Sequence, residues 1–239
     1  MSSYVRETTL EKMIQKQVKT WESSKNVLIE KPEETRPFVT ISREYGCMAT
    51  PIAAAIAERL NRAEGSDAWQ AYDKGLINKI VENTGVSETL IETIDTKKRE
   101  EMNELLRTMM TDYPPQVTVY KKLVRTIRGI SIHGRAIVVG RAGVVITRDL
   151  KYGLHLQFVA PLSYRIHKIM EVRGIKDKLE AERLVETKDR ERHDFLTQYV
   201  KFESTSPASY DLTINIARFT DAEIAETVEG LLRAKKFIK

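Results

Sequence analysis

The sequence predicts an α/β protein of three layers, in which helices cover both faces of a central parallel sheet of about five strands. Two observations lead to this class. Short β-rich runs alternate along the chain with longer segments of helical periodicity. Several of these runs are apolar at consecutive positions, which is typical of strands that are buried between two layers of helices. The chain has no internal repeat or heptad pattern that would favour another architecture.

Five segments are predicted to form the strands of this sheet. Each is short and largely apolar, and each ends at a turn or at the start of a helical pattern. The segments are FVTIS (38–42), WQAYD (69–73), AIVVG (136–140), LHLQFVA (154–160) and LTINIA (212–217).

Helices are predicted between the strands. The segments of helical periodicity are 51–62, 74 to about 133, 162–173, 177–200 and 220–236. The second of these is expected to break near Gly85 and at Pro114 and Pro115, because glycine and proline both disfavour a continuous helix.

A separate amphipathic helix is predicted at 8–24, ahead of the main domain. Its apolar residues recur at helical spacing and share one face: Leu10, Met13, Ile14, Val18 and Trp21. The polar, proline-containing segment at 23–37 is predicted to be a linker, so that 1–37 precedes a main domain at 38–239. The apolar face of this helix could pack on its own domain, or it could form a subunit contact in a homodimer.

Composition and charge exclude several classes of protein. Of the 239 residues, 41% are hydrophobic and 31% are charged, which is a globular balance and excludes a disordered chain. No apolar run reaches the roughly 18 residues of a membrane span, and the N-terminus lacks the apolar region of a signal peptide. A single cysteine, Cys47, cannot form an internal disulfide, so we expect a cytoplasmic protein with no membrane partner.

The net charge of +5 is compatible with a polyanionic ligand. A nucleic-acid-binding protein is a further alternative, but the sequence lacks a basic stripe interleaved with aromatic residues, so this partner is not favoured.

Arginines follow two of the predicted strands. In open parallel sheets, ligands bind outside the carboxyl ends of the strands, so the residues that follow each strand are the first candidates for a site. Arg43 follows the first strand and Arg141 the third, and Arg165 lies in the helix after the fourth. Guanidinium groups match phosphate oxygens with two parallel hydrogen bonds. The sequence therefore predicts a ligand that is rich in phosphate.

Six segments in this order resemble the cytidylate kinase-like family of P-loop nucleoside monophosphate kinases. They are VTISREYG, AYDKGLI, IVVGRAGVVI, APLSYRI, KDRERHDF and YDLTIN. The resemblance runs from about Phe38 to the C-terminus, and it implies a helical acceptor cap at 84–133 and a lid-like helix at 175–200. It also implies transfer of the γ-phosphoryl group of ATP to a nucleoside monophosphate, CMP or dCMP in that family, with Mg²⁺ bridging the donor phosphates.

By this resemblance, the loop after the first strand binds ATP. Its residues are Ser42, Arg43, Glu44, Tyr45, Gly46, Cys47, Met48, Ala49 and Thr50. A complete P-loop has the pattern GxxxxGK[ST], whereas Arg43 and Met48 replace its glycines here and Ala49 replaces its lysine. Thr50 keeps the hydroxyl position that reaches Mg²⁺ and is the candidate metal ligand. The altered loop leaves two functions open: an active kinase, and a kinase-like nucleotide-binding protein that regulates without efficient transfer.

The acceptor-binding candidates implied by the resemblance are Asp73 and Arg141. Arg141 matches the arginine that binds the acceptor monophosphate. Ala142 stands where cytidylate kinases carry an aspartate that helps to recognise the base, so selectivity for cytosine does not carry over. Asp73 matches a residue that holds the acceptor, but it is equally a candidate helix N-cap.

The catalytic candidates implied by the resemblance are Arg165, Arg190 and Arg192. In this kinase fold, lid arginines close over the phosphates and neutralise the charge that develops during transfer. The alternative is that the charged run at 176–194 is a solvated helix face.

Other residues give weaker signals of a site. The four histidines lack the spacing of metal ligands. The position of Cys47 in an anion-binding loop could lower its thiol pKa, whereas a buried and inert thiol is the alternative.

Overall fold

The computed structural model describes residues 3–30, 36–109, 117–200 and 202–239. A five-stranded sheet forms its centre, and every neighbouring pair of strands is parallel, in the order β2-β3-β1-β4-β5. The strands are β1 (Phe38–Arg43), β2 (Gln70–Tyr72), β3 (Ala136–Val139), β4 (Gly153–Val159) and β5 (Leu212–Asn215). The predicted α/β class and the parallel five-stranded sheet are confirmed.

Helices occupy most of the remaining described chain. They are α1 (Ser3–Glu30), α2 (Ala49–Glu64), α3 (Lys74–Glu82), α4 (Thr84–Glu92), α5 (Thr96–Met109), α6 (Val117–His133), α7 (Gly143–Thr147), α8 (Leu162–Arg173), α9 (Lys178–Val200) and α10 (Asp221–Ala234). Short 3-10 helices lie at Pro207–Ser209 and Ile216–Arg218. The short helix α7 was not predicted, and the predicted break at Pro114 and Pro115 lies outside the described residues. None of the helices described is long and apolar enough to span a bilayer.

One face of the sheet is covered by α2 and α10, and its packing is apolar throughout. Val39 and Ile41 of β1 and Leu156 and Phe158 of β4 point to this side, where they are fully buried. The two covering helices also pack on each other along their apolar sides. Burial of this continuous apolar surface stabilises the layer.

The other face of the sheet is apolar only over β2, β3 and part of β1. Tyr72 and Val138 pack there against α3 and α6. Strand β4 alternates instead, because His155 and Gln157 point to this face while their neighbours are buried on the opposite side. The prediction that β4 is apolar on both faces is therefore wrong. A cavity, rather than a packed helix, lies over Gln157.

Helix α1 is longer than the predicted segment, and it includes residues that were assigned to a linker. Ser23 and Ser24 fit into the helix because their hydroxyl groups donate to the carbonyl oxygens of Thr20 and Trp21, each over 3.0 Å. These local bonds satisfy the serine side chains without breaking the helix. The linker prediction is therefore wrong up to Glu30, and its remaining part falls largely on residues 31–35, outside the described chain.

The apolar face of α1 packs on its own domain. Ile14 and Trp21 are buried against helices α3, α4 and α6. Two polar contacts fix the register of the helix: the Tyr72 hydroxyl donates to Gln17 Oε1 over 2.6 Å, and Ser24 Oγ lies 3.1 Å from His133 Nδ1. Of the two predicted uses of this face, the structure shows the intramolecular one.

Candidate functional site

A cavity of about 740 Å³ opens at the carboxyl ends of β1, β3 and β4 and extends across the sheet to β5. This position is the one at which open parallel sheets bind ligands. The C-terminal half of α9 and the segment around Ser204 and Thr205 form its outer wall. Its volume is within the range of roughly 300–1,000 Å³ that is usual for small-molecule sites.

Charged residues are concentrated at the strand-end half of the cavity. Four arginines and two carboxylates line it: Arg43, Arg141, Arg190, Arg192, Glu44 and Asp189. The lining therefore has an excess of two positive charges. An excess of this size suits a dianion such as a phosphate monoester.

Arg43 lies at the centre of this charged half. Its guanidinium group covers the backbone of Gly140 so closely that a side chain at Gly140 would overlap it. The pKa of Arg43 is lowered to about 10, first by burial and then by the charges of Arg192 and Arg141. Arg43, Arg141 and Arg192 thus line the same cavity near the ends of β1 and β3, where a bound anion would offset the repulsion of their charges.

Arg141 is held by an unusual backbone and by one side-chain contact. Gly140, Arg141 and Ala142 all have positive φ, at 73°, 57° and 56°. Residues other than glycine rarely adopt this conformation, so the surrounding structure must hold the backbone of the turn between β3 and α7 in place. The Arg141 guanidinium donates to Asn78 Oδ1 of α3, which restrains the side chain at the wall of the cavity.

Arg165 is buried beneath the cavity rather than facing into it. Its Nε donates to the carbonyl oxygen of Ala160 over 3.0 Å and lies 3.3 Å from Glu44 Oε2. Its Nη1 pairs with the Asp189 carboxylate and donates to the carbonyl oxygen of Tyr45 over 3.1 Å. Arg165 therefore ties together the loop after β1, the start of α8 and the middle of α9.

The loop after β1 is closed by α9. The Tyr45 backbone N–H donates to Asp189 Oδ1 over 2.7 Å, and Arg192 Nη1 donates to the carbonyl oxygen of Arg43 over 2.6 Å. Gly46 has a φ of 93°, and a Cβ atom there would lie 2.8 Å from Arg165 Cβ. The loop is thus packed directly on the first turn of α8, and a carboxylate contacts one of its N–H groups.

About three quarters of the chain matches one known protein family. Residues 38–218 match the model of the Cytidylate kinase-like family. The chain belongs to the cytidylate kinase-like family. The matched region includes all five strands, the loop after β1 and the charged half of the cavity.

One solved structure supports the fold of this cytidylate kinase-like protein. An uncharacterized protein from Eubacterium ventriosum superposes with a TM-score of 0.64 at 17% identity, over 83% of this chain and 99% of that one. A shikimate kinase from Bacteroides thetaiotaomicron gives a TM-score of 0.46 at 8% identity, over 82% of this chain and 98% of that one, and this likeness carries no argument.

One curated protein matches over a shorter stretch. A uronate isomerase from Corynebacterium glutamicum is 27% identical over 92 residues, which are 38% of this chain. The match spans 18% of the length of that protein, so its activity is not carried over to this cytidylate kinase-like chain.

The structure brings only some of the site residues that the resemblance implied to the cavity. Those that line it are Ser42, Arg43, Glu44, Arg141, Arg190 and Arg192. Those that do not are Tyr45, Gly46, Cys47, Met48, Ala49, Thr50, Asp73 and Arg165. Asp73 caps α3, since its Oδ1 accepts from the Leu76 backbone N–H over 2.9 Å. Its capping role is therefore observed, whereas its role toward an acceptor stays a prediction.

The structure shows how Met48, Cys47 and Thr50 fit into the loop after β1. Met48 has a φ of −60° and provides no side-chain cap to α2, so methionine fits there without the strain of a left-handed backbone. Cys47 is buried, and its thiol pKa is raised to about 12, mainly by that burial. This favours the inert thiol of the two alternatives. Thr50 is exposed on the first turn of α2, so its side chain is open to solvent, and its role toward a metal ion stays a prediction.

Sequence reasoning missed three residues of the site. Asp189 belongs to the charged run at 176–194, and nothing in that run indicates that it joins α9 to the loop. Asn78 carries no pattern that distinguishes it from a solvated helix residue. Gln157 is the one that a signal could have found, because polar residues at alternate positions of β4 indicate a strand with one polar face.

Proposed function

We propose that this protein is a nucleotide kinase that transfers the γ-phosphoryl group of ATP to a nucleoside monophosphate, with CMP or dCMP as the acceptor class that its family suggests. One observation carries the proposal: Arg43, Arg141 and Arg192 converge at the strand ends of a cavity with excess positive charge. Phosphoryl transfer asks an enzyme mainly for positioning and charge neutralisation, and this is what such a cluster provides.

The acceptor phosphate is assigned to Arg141. Asp73 follows β2 at the same edge of the sheet, where its charge acts on Arg43, and we assign it to the acceptor region. Asn78 fixes the guanidinium of Arg141 in its orientation. A monophosphate oxygen is already ionised near neutral pH, so the attack on the γ-phosphorus needs no general base.

The donor phosphates are assigned to the loop from Ser42 to Thr50 and to the first turn of α2. Backbone N–H groups of a loop that precedes a helix bind phosphates, and the N–H of Tyr45 already donates to a carboxylate. Mg²⁺ would be held at Thr50 and by phosphate oxygens, and it would neutralise charge on the transferred group.

The catalytic role is assigned to Arg190 and Arg192, and a positioning role to Arg165. Arg190 and Arg192 line the cavity from α9, so a small movement of this helix brings both to the transferred phosphoryl group. Arg165 lies deeper and acts by holding α9 against the loop. The division into a helical cap at 84–133 and a lid at 175–200 is part of the same proposal.

The contacts and the sequence of the loop after β1 support a second candidate function. A carboxylate of the chain itself contacts the Tyr45 N–H, and methionine and alanine replace the usual glycine and lysine. These features favour a kinase-like protein that binds nucleotides and regulates a partner without efficient transfer. In that case, binding would be measurable and turnover would be absent.

A coupled assay of ATP consumption with Mg²⁺, over CMP, dCMP, UMP, AMP and GMP, tests both candidates beside thermal-shift measurements on the same ligands. We expect acceptor-dependent turnover that is lost in Arg141→Ala and kept in Arg148→Ala, a matched variant of an exposed arginine. Stabilisation without turnover would favour the regulatory candidate. Acceptor dependence that is unchanged in Arg141→Ala would overturn the assignment of the acceptor site.

Two further assignments belong to this proposal. We place the protein in the cytoplasm, and we retain a homodimer through α1 as a hypothesis. Because Trp21 and Ile14 of α1 are buried within the chain, such a dimer would have to use the opposite, charged face of the helix. Light scattering after size exclusion measures the mass directly, and a monomeric mass at high protein concentration would remove the dimer.

A further inference from the structure

The floor of the cavity toward β5 is polar, although it is the face of a parallel sheet. Ser42 of β1, Gln157 of β4 and Thr213 of β5 are cross-strand neighbours, and all three line the cavity. Side chains of adjacent strands that share a register point to the same face. These three residues, the polar floor, therefore form one row across three strands.

The polar floor is unusual for this class of fold. Sheet faces in parallel α/β proteins are covered by helices and are largely apolar, and the opposite face of the same strands follows that rule. The next row behaves differently from the polar floor, since Thr40 Oγ1 and His155 Nδ1 lie 2.8 Å apart and satisfy each other. The polar floor is thus the row that is presented to the cavity.

Gln157 is fixed by two hydrogen bonds and keeps capacity for two more. Its Nε2 donates to the carbonyl oxygen of Ser204 over 2.9 Å, and its Oε1 accepts from Thr213 Oγ1 over 3.1 Å. A primary amide has two N–H donors and two acceptor positions. Within the described contacts, one donor and one acceptor position of Gln157 therefore remain, and the two bonds restrain the orientation of the amide.

The wall above the polar floor is anchored at both ends. Phe202 packs with Val144 and Val145, and its ring meets that of Tyr210 edge-on at 6.2 Å between centroids. The Tyr210 hydroxyl donates to the carbonyl oxygen of Ser204 over 3.0 Å. The segment between these two aromatic residues is thus held against the cavity. The part of the cavity above the polar floor therefore has a fixed wall.

We infer that the polar floor binds the uncharged body of the phosphate-bearing ligand, and that Gln157 is the residue that selects it. The inference rests on the proposed function, because the arginine half must hold the phosphate. It assigns the ligand class as a phosphomonoester whose uncharged body presents both a hydrogen-bond donor and an acceptor. The edge of a nucleobase and neighbouring sugar hydroxyl groups both have this chemistry.

The test measures binding of CMP, AMP, ribose 5-phosphate and inorganic phosphate by calorimetry to the wild-type chain and to Gln157→Leu. We expect the variant to lose about tenfold in affinity for the ligand that binds best, while its affinity for inorganic phosphate stays within about twofold. Gln70→Leu, in the edge strand β2 and outside this cavity, is the matched control and is expected to change neither value. If CMP or AMP binds more tightly than ribose 5-phosphate, the polar floor contacts the base. If the nucleotides and ribose 5-phosphate bind with equal affinity, the polar floor contacts the sugar.

Two results would overturn the inference, and they differ in what they say of the proposed function. If inorganic phosphate and CMP bind the wild type but Gln157→Leu weakens all ligands equally or none, the inference fails alone. If no phosphate-bearing ligand binds the wild type, the proposed function fails with it. Thr213→Val is the second variant, in case Gln157→Leu does not fold. Thr213 is exposed, and valine has the shape of threonine without its hydroxyl group. We expect this variant to lose about threefold in affinity for the ligand that binds best and to bind inorganic phosphate unchanged.

Discussion

The backbone N–H of Tyr45 donates a hydrogen bond to the carboxylate of Asp189, with 2.7 Å between nitrogen and oxygen. The first residue belongs to the loop after β1 and the second to the middle of α9. The same carboxylate pairs with Arg165 and lies 3.5 Å from Arg192 Nη1. An acidic side chain of the protein thus contacts the groups that would bind a phosphate.

Replacing Asp189 by asparagine is expected to strengthen phosphate binding. The carboxylate repels an incoming anion and competes with it for the same guanidinium groups, whereas the amide keeps the shape without the charge. We expect Asp189→Asn to bind ATP about tenfold more tightly in calorimetry, and to unfold at a lower temperature without ligand because Arg165 loses its charged partner. Asp194→Asn, an exposed position on the same helix, serves as the control. Equal or weaker ATP binding in Asp189→Asn would show that the carboxylate does not compete.

Gly46 is expected to be required by the packing of the loop on α8. A Cβ atom at this position would lie 2.8 Å from Arg165 Cβ and 2.9 Å from its carbonyl oxygen, so the backbone would have to move. Gly65 also has positive φ, but a Cβ atom there meets nothing within 4 Å. We expect Gly46→Ala to lower the free energy of unfolding by about 2 kcal/mol more than Gly65→Ala in urea denaturation. Similar losses in the two variants would mean that the loop adjusts without cost.

His133 is expected to make the stability of the protein depend on pH. Its ring nitrogens contact Ser24 and Thr93 in a largely enclosed site, and its pKa is lowered from 6.5 to about 3, mainly by desolvation. The folded protein therefore keeps His133 neutral, while the unfolded chain takes up a proton below pH 6.5. The stabilisation is complete above pH 6.5 and is lost as the pH falls toward 3, by up to about 1.4 kcal/mol per pH unit.

The measurement for His133 is urea denaturation between pH 7 and pH 4. Carboxylates also titrate in this range, so the comparison is made with His133→Gln, in which the amide can still bond to Ser24 and Thr93. We expect a shallower loss of stability in this variant and an unchanged profile in His167→Gln, an exposed histidine. A profile of His133→Gln that parallels the wild type would exclude His133 as the source.

Much of the fold was predictable because its strands and helices follow from local patterns of apolar and polar residues. The five strands appear as short apolar runs and the helices as segments of helical periodicity, and both signals come from residues close in sequence. The prediction for β4 failed because its polar residues were read as part of an apolar run. The linker prediction failed because serine hydroxyl groups can bond to the carbonyl oxygens of their own helix.

The candidate site was predictable to a lesser extent. Strand ends directed attention to Arg43 and Arg141, which do line the cavity. Arg165 was also selected, but its side chain is buried and pairs with Asp189, 24 residues along the chain. The polar floor could not be recognised, since its three residues meet only through the register of three strands.

The sequence by itself determined the α/β class, the number of strands and the presence of arginines at the strand ends, because periodicity and strand-end position are local properties of the chain. Only the tertiary structure decided that Asp189 reaches the N–H of Tyr45 across 144 residues, that α1 packs on its own domain, and that Gln157 faces a cavity. These relationships depend on the packing of elements far apart in sequence, and that packing is settled by shape, burial and charge in three dimensions rather than by any local pattern.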